Sequence, residues 1–414
     1  MKENTWIKRT ALFIVSQTVT LFGSSVVQFA IGWHITLTTQ SGAMLTIATL
    51  CGFLPQAVIS LFAGVWADRY DRKKIIMLAD CAIALCTAVL AVMLARGYTE
   101  LTALFVASAI RSVGAGIQTP AVGAFLPELV PEKHLMRVNG IQASVTSIML
   151  LLSPAVAGVL YGKMGIASVL WVDVLTAAVG VGLMTLVVVP KREMAQKEKA
   201  HILKDVASGL RYIFKTRWLN QMTFFYLIVA LMLGPVVMLT PLMVARSFGS
   251  EPWRLAVHEM VFSVGSIVGG VLVSLWGGFK NKTVTMLASS IAFGLTTFVM
   301  GFSPNFYFYL GVMVPMGISM PFINTAAMTI TQTRVEPVFI GRVFSVITII
   351  GSTAMPLSMV FFGPLADVVS VEWELITSGA VMVAASLLTL RAKDLIAAGE
   401  PVVSEIPQET SATA

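Results

Sequence analysis

Charge is what this 414-residue chain has little of: Asp, Glu, Lys and Arg together make up 12% of it, while 57% of positions are hydrophobic and the mean hydropathy is +0.84. A soluble chain places charge at about a quarter of its positions, so the water-soluble globular classes are excluded. Cysteine is scarce too. Cys51, Cys81 and Cys86 are odd in number and all fall inside apolar runs, which argues against a disulfide framework; nothing resembles a metal site. They read as buried packing residues. Also absent are a G-x-x-x-x-G-K-[ST] loop, an H-E-x-x-H pair and any soluble stretch that could fold around a nucleotide. Nothing supports enzymatic or ATP-driven work, and no cofactor or metal is expected. The net charge of +7 is no nucleic-acid footprint, because Lys and Arg sit in short stretches without aromatic interleaving or a basic helical face.

What fills the chain instead is apolar runs of about twenty residues, the length that crosses a hydrocarbon core of roughly 30 Å. In lipid the backbone must hydrogen-bond within its own segment, so each run is expected as a helix. Six runs come first, at about 10–37, 44–67, 75–95, 101–126, 138–161 and 167–189. Six more follow, at about 219–245, 257–278, 283–302, 305–330, 342–366 and 372–391. The run from Thr10 to Leu37 is too long for a signal h-region and reads as the first span. Between the sets lies a polar segment, 190–218, expected as a linker with an amphipathic helix. The expected division is a six-helix bundle at 1–189, the linker at 190–218, a second bundle at 219–395 and a disordered tail at 396–414.

Of the 28 Lys and Arg residues, all but Arg96, Arg111, Lys163, Arg246 and Arg254 fall on one side of this scheme. Cytoplasmic loops retain positive charge, so both termini and the linker are expected in the cytoplasm. The two sets of six also show internal likeness. Gly116-Ile-Gln-Thr-Pro120 in span four answers Gly317-Ile-Ser-Met-Pro321 in span ten. The loop Val130–Val138 answers Val335–Val343, and Gly64-Val-Trp-Ala-Asp68 answers Gly270-Val-Leu-Val-Ser274. Their similar offsets point to duplication, a known transporter architecture.

The strongest local signal follows span two: Gly64-Val-Trp-Ala-Asp68-Arg69-Tyr-Asp71-Arg72-Lys73-Lys74. It resembles the G-x-L-A-D-R-x-G-R-K-K loop of the major facilitator superfamily, with Asp71 where that family has glycine. Arg111-Ser-Val-Gly114-Ala-Gly116 in span four is similar to the R-x-x-x-G-x-G signature of proton-coupled members, with the first glycine one residue early. Ser153-Pro154-Ala-Val-Ala157-Gly158 partly resembles an exporter signature. The phrasing is closest to the macrolide-efflux-type drug exporters: Gly52-Phe-Leu-Pro55, Ile110-Arg-Ser with Thr119-Pro120 following, and Gly341-Arg-Val-Phe-Ser345. What the resemblance implies is an all-α membrane protein of twelve helices in two six-helix bundles. It implies proton-driven export of a hydrophobic or amphipathic small molecule from a bacterial cell through the inner membrane. A siderophore exporter and a nutrient or metabolite symporter of the same fold stand as alternatives, and a monomer is expected. It further implies a cytoplasmic gate of Gly64, Asp68, Arg69, Asp71 and Arg72, in which Asp68 caps a helix of the other half and the arginines pair with nearby acids.

Charge inside a span is expensive and marks function or a buried pair. Arg111 either faces a cavity or an acid, or reaches outward from its span. Proton coupling needs a carboxyl that can gain and lose its proton as the interior opens to alternate sides, and the candidates are Asp80, Asp173, Glu259 and Asp367. Asp80 and Asp173 each count about one turn in from a surface, so helix-end roles compete. Glu128 reads as structural, and His34 as a satisfied polar group. Gln17, Thr20, Ser24 and Gln28 recur at helical spacing on span one, and Asn139, Gln142, Thr146 and Ser153 on span five. Both stripes are expected to line a cavity. Phe224, Phe225, Tyr226, Met232 and Met238 would give span seven an adaptable apolar surface.

Overall fold

The computed structural model describes residues 5–188 and 202–401, except the side chains of 5, 61, 64, 65, 68 and 202–205. Among the described residues the regular structure is helical, and eleven helices are long and apolar enough to cross a bilayer. The first half holds α1 (Thr5–Thr39), α2 (Gly42–Arg69), α3 (Arg72–Ala95), α4 (Leu101–Leu129) and α5 (Glu132–Thr185). The 54 residues of α5 break at Gly165, whose φ of 73° favours a residue with no Cβ. Its two arms run in opposite directions along α1. On the first arm Gln142 lies across a cleft from Gln17, and Tyr161 meets His34; on the second, Asp173 meets Ser24, and Gly180 meets Ser16. One helix by hydrogen bonding is therefore two crossings, and the total is twelve.

The second half follows α6 (Ile202–Lys215). It comprises α7 (Arg217–Met238), α8 (Thr240–Met243), a π-helical turn (Val244–Phe248), α9 (Pro252–Trp276), α10 (Lys282–Met300), α11 (Phe306–Arg334), α12 (Pro337–Leu365), α13 (Val371–Thr389) and α14 (Lys393–Ala398). Pro235 and Pro241 remove backbone donors where span seven breaks after Met238. The π-helical turn carries the same crossing on to Phe248.

The same packing scheme occurs twice. In the first half α2 packs on α4, and α3 on both α4 and α5; in the second α9 packs on α11, and α10 on α11 and α13. The matched glycines explain part of this. A Cβ on Gly116 would stand 2.8 Å from the Gln56 carbonyl of α2, and one on Gly317 2.6 Å from the Phe262 carbonyl of α9. Small residues there let membrane helices approach closely. The halves join through α2 against α12 and, in the equivalent pairing, α5 against α9.

One expected element stays in place and one boundary moves. The amphipathic helix of the linker is α6, with Ile213 buried and Tyr212 stacked on Phe339 of α12 at 4.3 Å; residues 189–201 lie outside the described residues. The tail was expected to be disordered from 396. Instead α14 runs on, burying Leu395 and Ala398, and the 277–283 turn closes on it. Lys282 donates its backbone N–H to Gly399 O (2.7 Å), Asn281 Nδ2 to Ile396 O (2.8 Å) and Arg334 Nε to Ala398 O (3.0 Å). Carbonyls with that many partners, beside a buried leucine, hold the segment in place. Residues 402–414 lie outside the described residues.

Candidate functional site: a buried polar network, a cleft and two ends

The first half carries charge where lipid-facing helices cannot. Arg111 of α4 and Asp173 of α5 are 5% and 0% exposed and form an ion pair. Thr87 Oγ1 donates to Asp173 Oδ2 and Ser24 Oγ to Oδ1, each at 2.9 Å, and Arg111 Nη2 reaches the Ser24 carbonyl at 3.2 Å. Three helices thus satisfy a carboxylate carried by a fourth. A charge pair stripped of water is costly unless its remaining hydrogen-bonding sites are filled; both Asp173 oxygens are, while Arg111 Nε has no partner among the described residues. Arg111 accordingly does not reach outward, and Asp173 is no helix-end charge. Because the second arm of α5 begins just after Gly165, Asp173 sits two turns in and faces the middle of α1.

Asp80 of α3 is 1% exposed and takes a separate partner, Gln118 of α4, whose Nε2 donates to Oδ1 at 2.6 Å and approaches Gln17 Oε1 at 3.4 Å. Asp80 Oδ2 and Gln17 Nε2 have no partner among the described residues. Gln17 is also part of the wall of a cleft of about 260 Å³ between α1 and the first arm of α5. Phe13, Leu21, Phe29, Val145 and Met149 make its apolar faces, and Thr18, Ser25 and Gln142 its polar points.

The cleft takes up part of the expected stripes. Gln17, Gln142 and Thr146 border it; Thr20, Ser24, Gln28 and Asn139 do not. Thr20 donates to the Ser16 carbonyl and packs on Gly180, and Ser24 serves Asp173. Gln28 lies beside Gly52 of α2, and Asn139 is exposed. Ser153 is fully buried. The middle of the polar stripe of α1, Thr20 and Ser24, turns toward the other helices of its own half, while Gln17 joins the neighbouring, mixed stripe at the cleft.

The two ends of the molecule differ. At the end holding residues 40–41, 244–251 and 366–370, Asp367 caps α2 of the other half. It accepts from Gly42 N (2.7 Å), Ala43 N (3.0 Å) and Ser41 Oγ (2.8 Å), and pairs with Arg246 at 3.0 Å. Arg246 also donates to the carbonyls of Gln40 and Ala366. Thr46 adds a bond to the Met359 carbonyl (2.9 Å), and Gly42 and Gly363 pack backbone to backbone. Burial pushes the Asp367 carboxyl up, but the Ala43 and Gly42 N–H groups, the Ser41 hydroxyl and Arg246 outweigh it and hold the group below the usual carboxylate range.

At the opposite end is the 69–72 turn. Arg72 donates to the Ala67 (2.7 Å) and Ala124 (2.6 Å) carbonyls and to Glu128 (2.9 Å), all in its own half. Asp71 caps α3 by accepting from Lys74 N (3.3 Å). Lys73 donates to the carbonyls of Thr185 and Val187. Arg69 is exposed; Gly64 lies within α2. The side chain of Asp68 lies outside the described residues.

In the second half His258 accepts from or donates to Tyr309 Oη (2.8 Å) and Thr240 (3.4 Å), and Glu259 approaches it at 3.9 Å. Glu259 therefore stands apart from the Asp80–Arg111–Asp173 group. Glu374 of α13 is 2% exposed, with neither carboxylate oxygen partnered among the described residues. Sequence reasoning passed over His258, Thr87 and Glu374, which carry no periodic signal; Gln118 was visible within the repeated Gly116–Pro120 phrase. His34 is satisfied by Tyr161 (2.8 Å), as expected.

The sequence pattern described as Major Facilitator Superfamily matches residues 13–359. The chain belongs to the major facilitator superfamily. Macrolide efflux protein A of Streptococcus pyogenes is 30% identical over 392 residues, covering 94% of this chain and 96% of that protein. The multidrug efflux pump Tap of Mycobacterium bovis is 22% identical, covering 89% of each. Among solved structures, a POT family transporter in complex with 5-aminolevulinic acid superposes with a TM-score of 0.73 at 11% identity, over 92% of this chain and 95% of that one. A bacterial homolog of the lysosomal transporter Spinster gives 0.61 at 14% identity, over 96% and 98%. Family and fold are those of transporters, and the helices are those of a multi-pass membrane protein.

Proposed function

We propose that this major facilitator superfamily member exports a hydrophobic or amphipathic compound of the macrolide kind, exchanging it for protons by alternating access. One observation carries the reading. The halves are locked together at the Asp367 end, while the α1–α5 cleft opens elsewhere and, among the described residues, the bonds made by Asp71, Arg72 and Lys73 at the other end stay within their own half. A chain in which two equivalent halves join at one end suits rocking about a shared interior. In this reading the positive-rich end is cytoplasmic, both termini lie there, and the protein sits as a monomer in the bacterial inner membrane. The working division is 1–189, linker 190–218 and 219–395, with the tail now beginning after α14. Asp80, the Arg111–Asp173 pair and Glu259 are the proton-handling candidates. In the outward-open state Asp68 closes the cytoplasmic end. The efflux proteins with which this chain shares identity along most of its length support the direction of transport.

Everted membrane vesicles with an acidified interior test the proposal. An exporter working by proton antiport accumulates a labelled macrolide there and loses the accumulation when the gradient is collapsed. The Asp68→Asn variant is expected to reduce uptake about ten-fold at equal protein level. Vesicles that empty on acidification would turn the reading toward a symporter.

A further inference from the structure

The locked end holds more acid than it pairs. Asp367 is bound by Arg246 and the N-terminus of α2, Glu372 accepts from Ser247 Oγ of the π-helical turn, and Glu251 pairs with Arg254 at 2.7 Å. Glu374, in the first turn of α13, is buried, and neither of its carboxylate oxygens has a partner among the described residues. Ser378, one turn along the same face, is buried and unpartnered as well. The charged groups that bear on Glu374 are Arg246 and Asp367, and they are closed on each other. Of the helices chiefly packed on α13, α8 has no charged residue, and α7 and α10 carry theirs, Arg217 and Lys282, at the far end. Tyr226 of α7 faces Gly351, and His258, behind α8, is bound to Tyr309 and Thr240. A carboxylate stripped of water, with no donor and no touching cation, is too costly to keep, and such a group takes a proton instead.

We propose that Glu374 is a proton site that has to be filled before the Asp367 end can lock. Parting of the halves withdraws residues 40–43 from Asp367 and Arg246 and lets water into this end. There Glu374 is a carboxylate, favoured by the N-terminus of α13 and by an arginine freed of its partners. Closing the end strips that water, so a proton from the solution on this side bonds to a Glu374 oxygen as the halves meet. Arg246 is then left to Asp367 alone, and the lock and the proton favour each other. Because the locked state holds one proton more, locking weakens as pH rises. Asp367 is held below the ordinary carboxylate range in the lock, so it stays ionised from pH 5.5 to pH 8 and does not enter this balance. The proposal rests on the export reading only for its side: the Asp367 end is the outer one there, and the proton enters from outside after the exported molecule has left.

Two measurements on the full-length protein test this. A Thr46→Cys reporter, with Cys51, Cys81 and Cys86 replaced, sits at the join beside Met359 and is alkylated when that end opens. Each rate is divided by that of the unfolded chain at the same pH, which removes the titration of the thiol itself. Between pH 5.5 and pH 8 the corrected rate should rise with pH by up to about ten-fold per unit, the slope of one proton. Glu374→Gln and Glu374→Met have no proton to lose, and both should label across the range at the slow rate seen without these changes at pH 5.5. A level rate with Glu374 present, a slope that survives in either variant, or a fast level rate in both overturns the proposal. In infrared spectra at pH 7, a protonated-carboxyl band should be missing from Glu374→Gln; an unchanged carboxyl region also overturns it. Vesicles that accumulate no macrolide, beside the expected slope and band, would sink the export reading and leave the proton site standing.

Discussion

The two ends of this molecule use the same chemistry on different partners. At one, the Asp367 carboxylate caps a helix of the opposite half and is held by Arg246. At the other, Asp71 caps the helix that follows it and Arg72 pairs with Glu128 inside one half. An acid at a helix N-terminus gains from the exposed N–H groups and the helix dipole wherever it is found. What makes such a contact a lock is whether it spans the join. Among the described residues the bonds across the join lie at the Asp367 end, and that lock has no local signature. Its parts come from residues 40–43, 246 and 367.

Three changes would break or sharpen the contrast. The largest effect is expected away from both ends, in the dry interior. Arg111→Met leaves Asp173 buried and unpaired and should cost about 3–5 kcal/mol of stability, read as a fall in thermal midpoint in detergent. The double variant Arg111→Met/Asp173→Leu should recover most of it, and failure to recover would show that the pair does more than satisfy itself. Next comes Asp367→Asn. With both partners under a third exposed, the lock is worth about 1–2 kcal/mol, so opening of that end should become roughly five- to thirty-fold more frequent. Alkylation of a Thr46→Cys reporter, in a background with Cys51, Cys81 and Cys86 replaced, measures this. The same reporter gives the pH dependence. The Asp367 carboxyl is lowered in the locked state, so its contribution is complete above the ordinary carboxylate range and is lost as pH falls through the lowered value. Labelling should rise in acid for the wild type and stay level in Asp367→Asn. The smallest effect belongs to Asp71→Ala, which removes a helix cap worth about 1 kcal/mol. It should lower the thermal midpoint slightly and leave Thr46→Cys labelling unchanged; a rise would mean that the two ends are coupled through this cap.

Much of the fold was legible because the bilayer leaves a chain few choices. Twelve apolar runs became twelve crossings, and the repeated Gly116 and Gly317 phrases sit at equivalent helix contacts. The candidate site was legible in part. Arg111, Asp80 and Asp173 stood out because charge is rare in spans, yet their partners did not. Thr87, Ser24 and Gln118 are ordinary polar residues until three other helices are placed around them. The stripe on α1 shows the difficulty most clearly. Gln17, Thr20, Ser24 and Gln28 share a helical face, but periodicity cannot say whether that face meets neighbouring helices or open space. Thr20 and Ser24 meet helices, Gln17 borders the cleft and Gln28 is exposed, and the rest of the α1 wall of the cleft is the next stripe round, through Thr18, Leu21 and Ser25.

Composition and periodicity, then, were enough to determine that this is a helical membrane protein, how often it crosses and which charges lie within it. Each of those follows from the cost of exposing backbone and charge to hydrocarbon, and that cost is paid residue by residue along the chain. Which acid meets which base, which end is joined and which face of α1 is open were decided by tertiary structure. Those are properties of contacts between segments hundreds of residues apart, and a pattern within one helix carries no term for them.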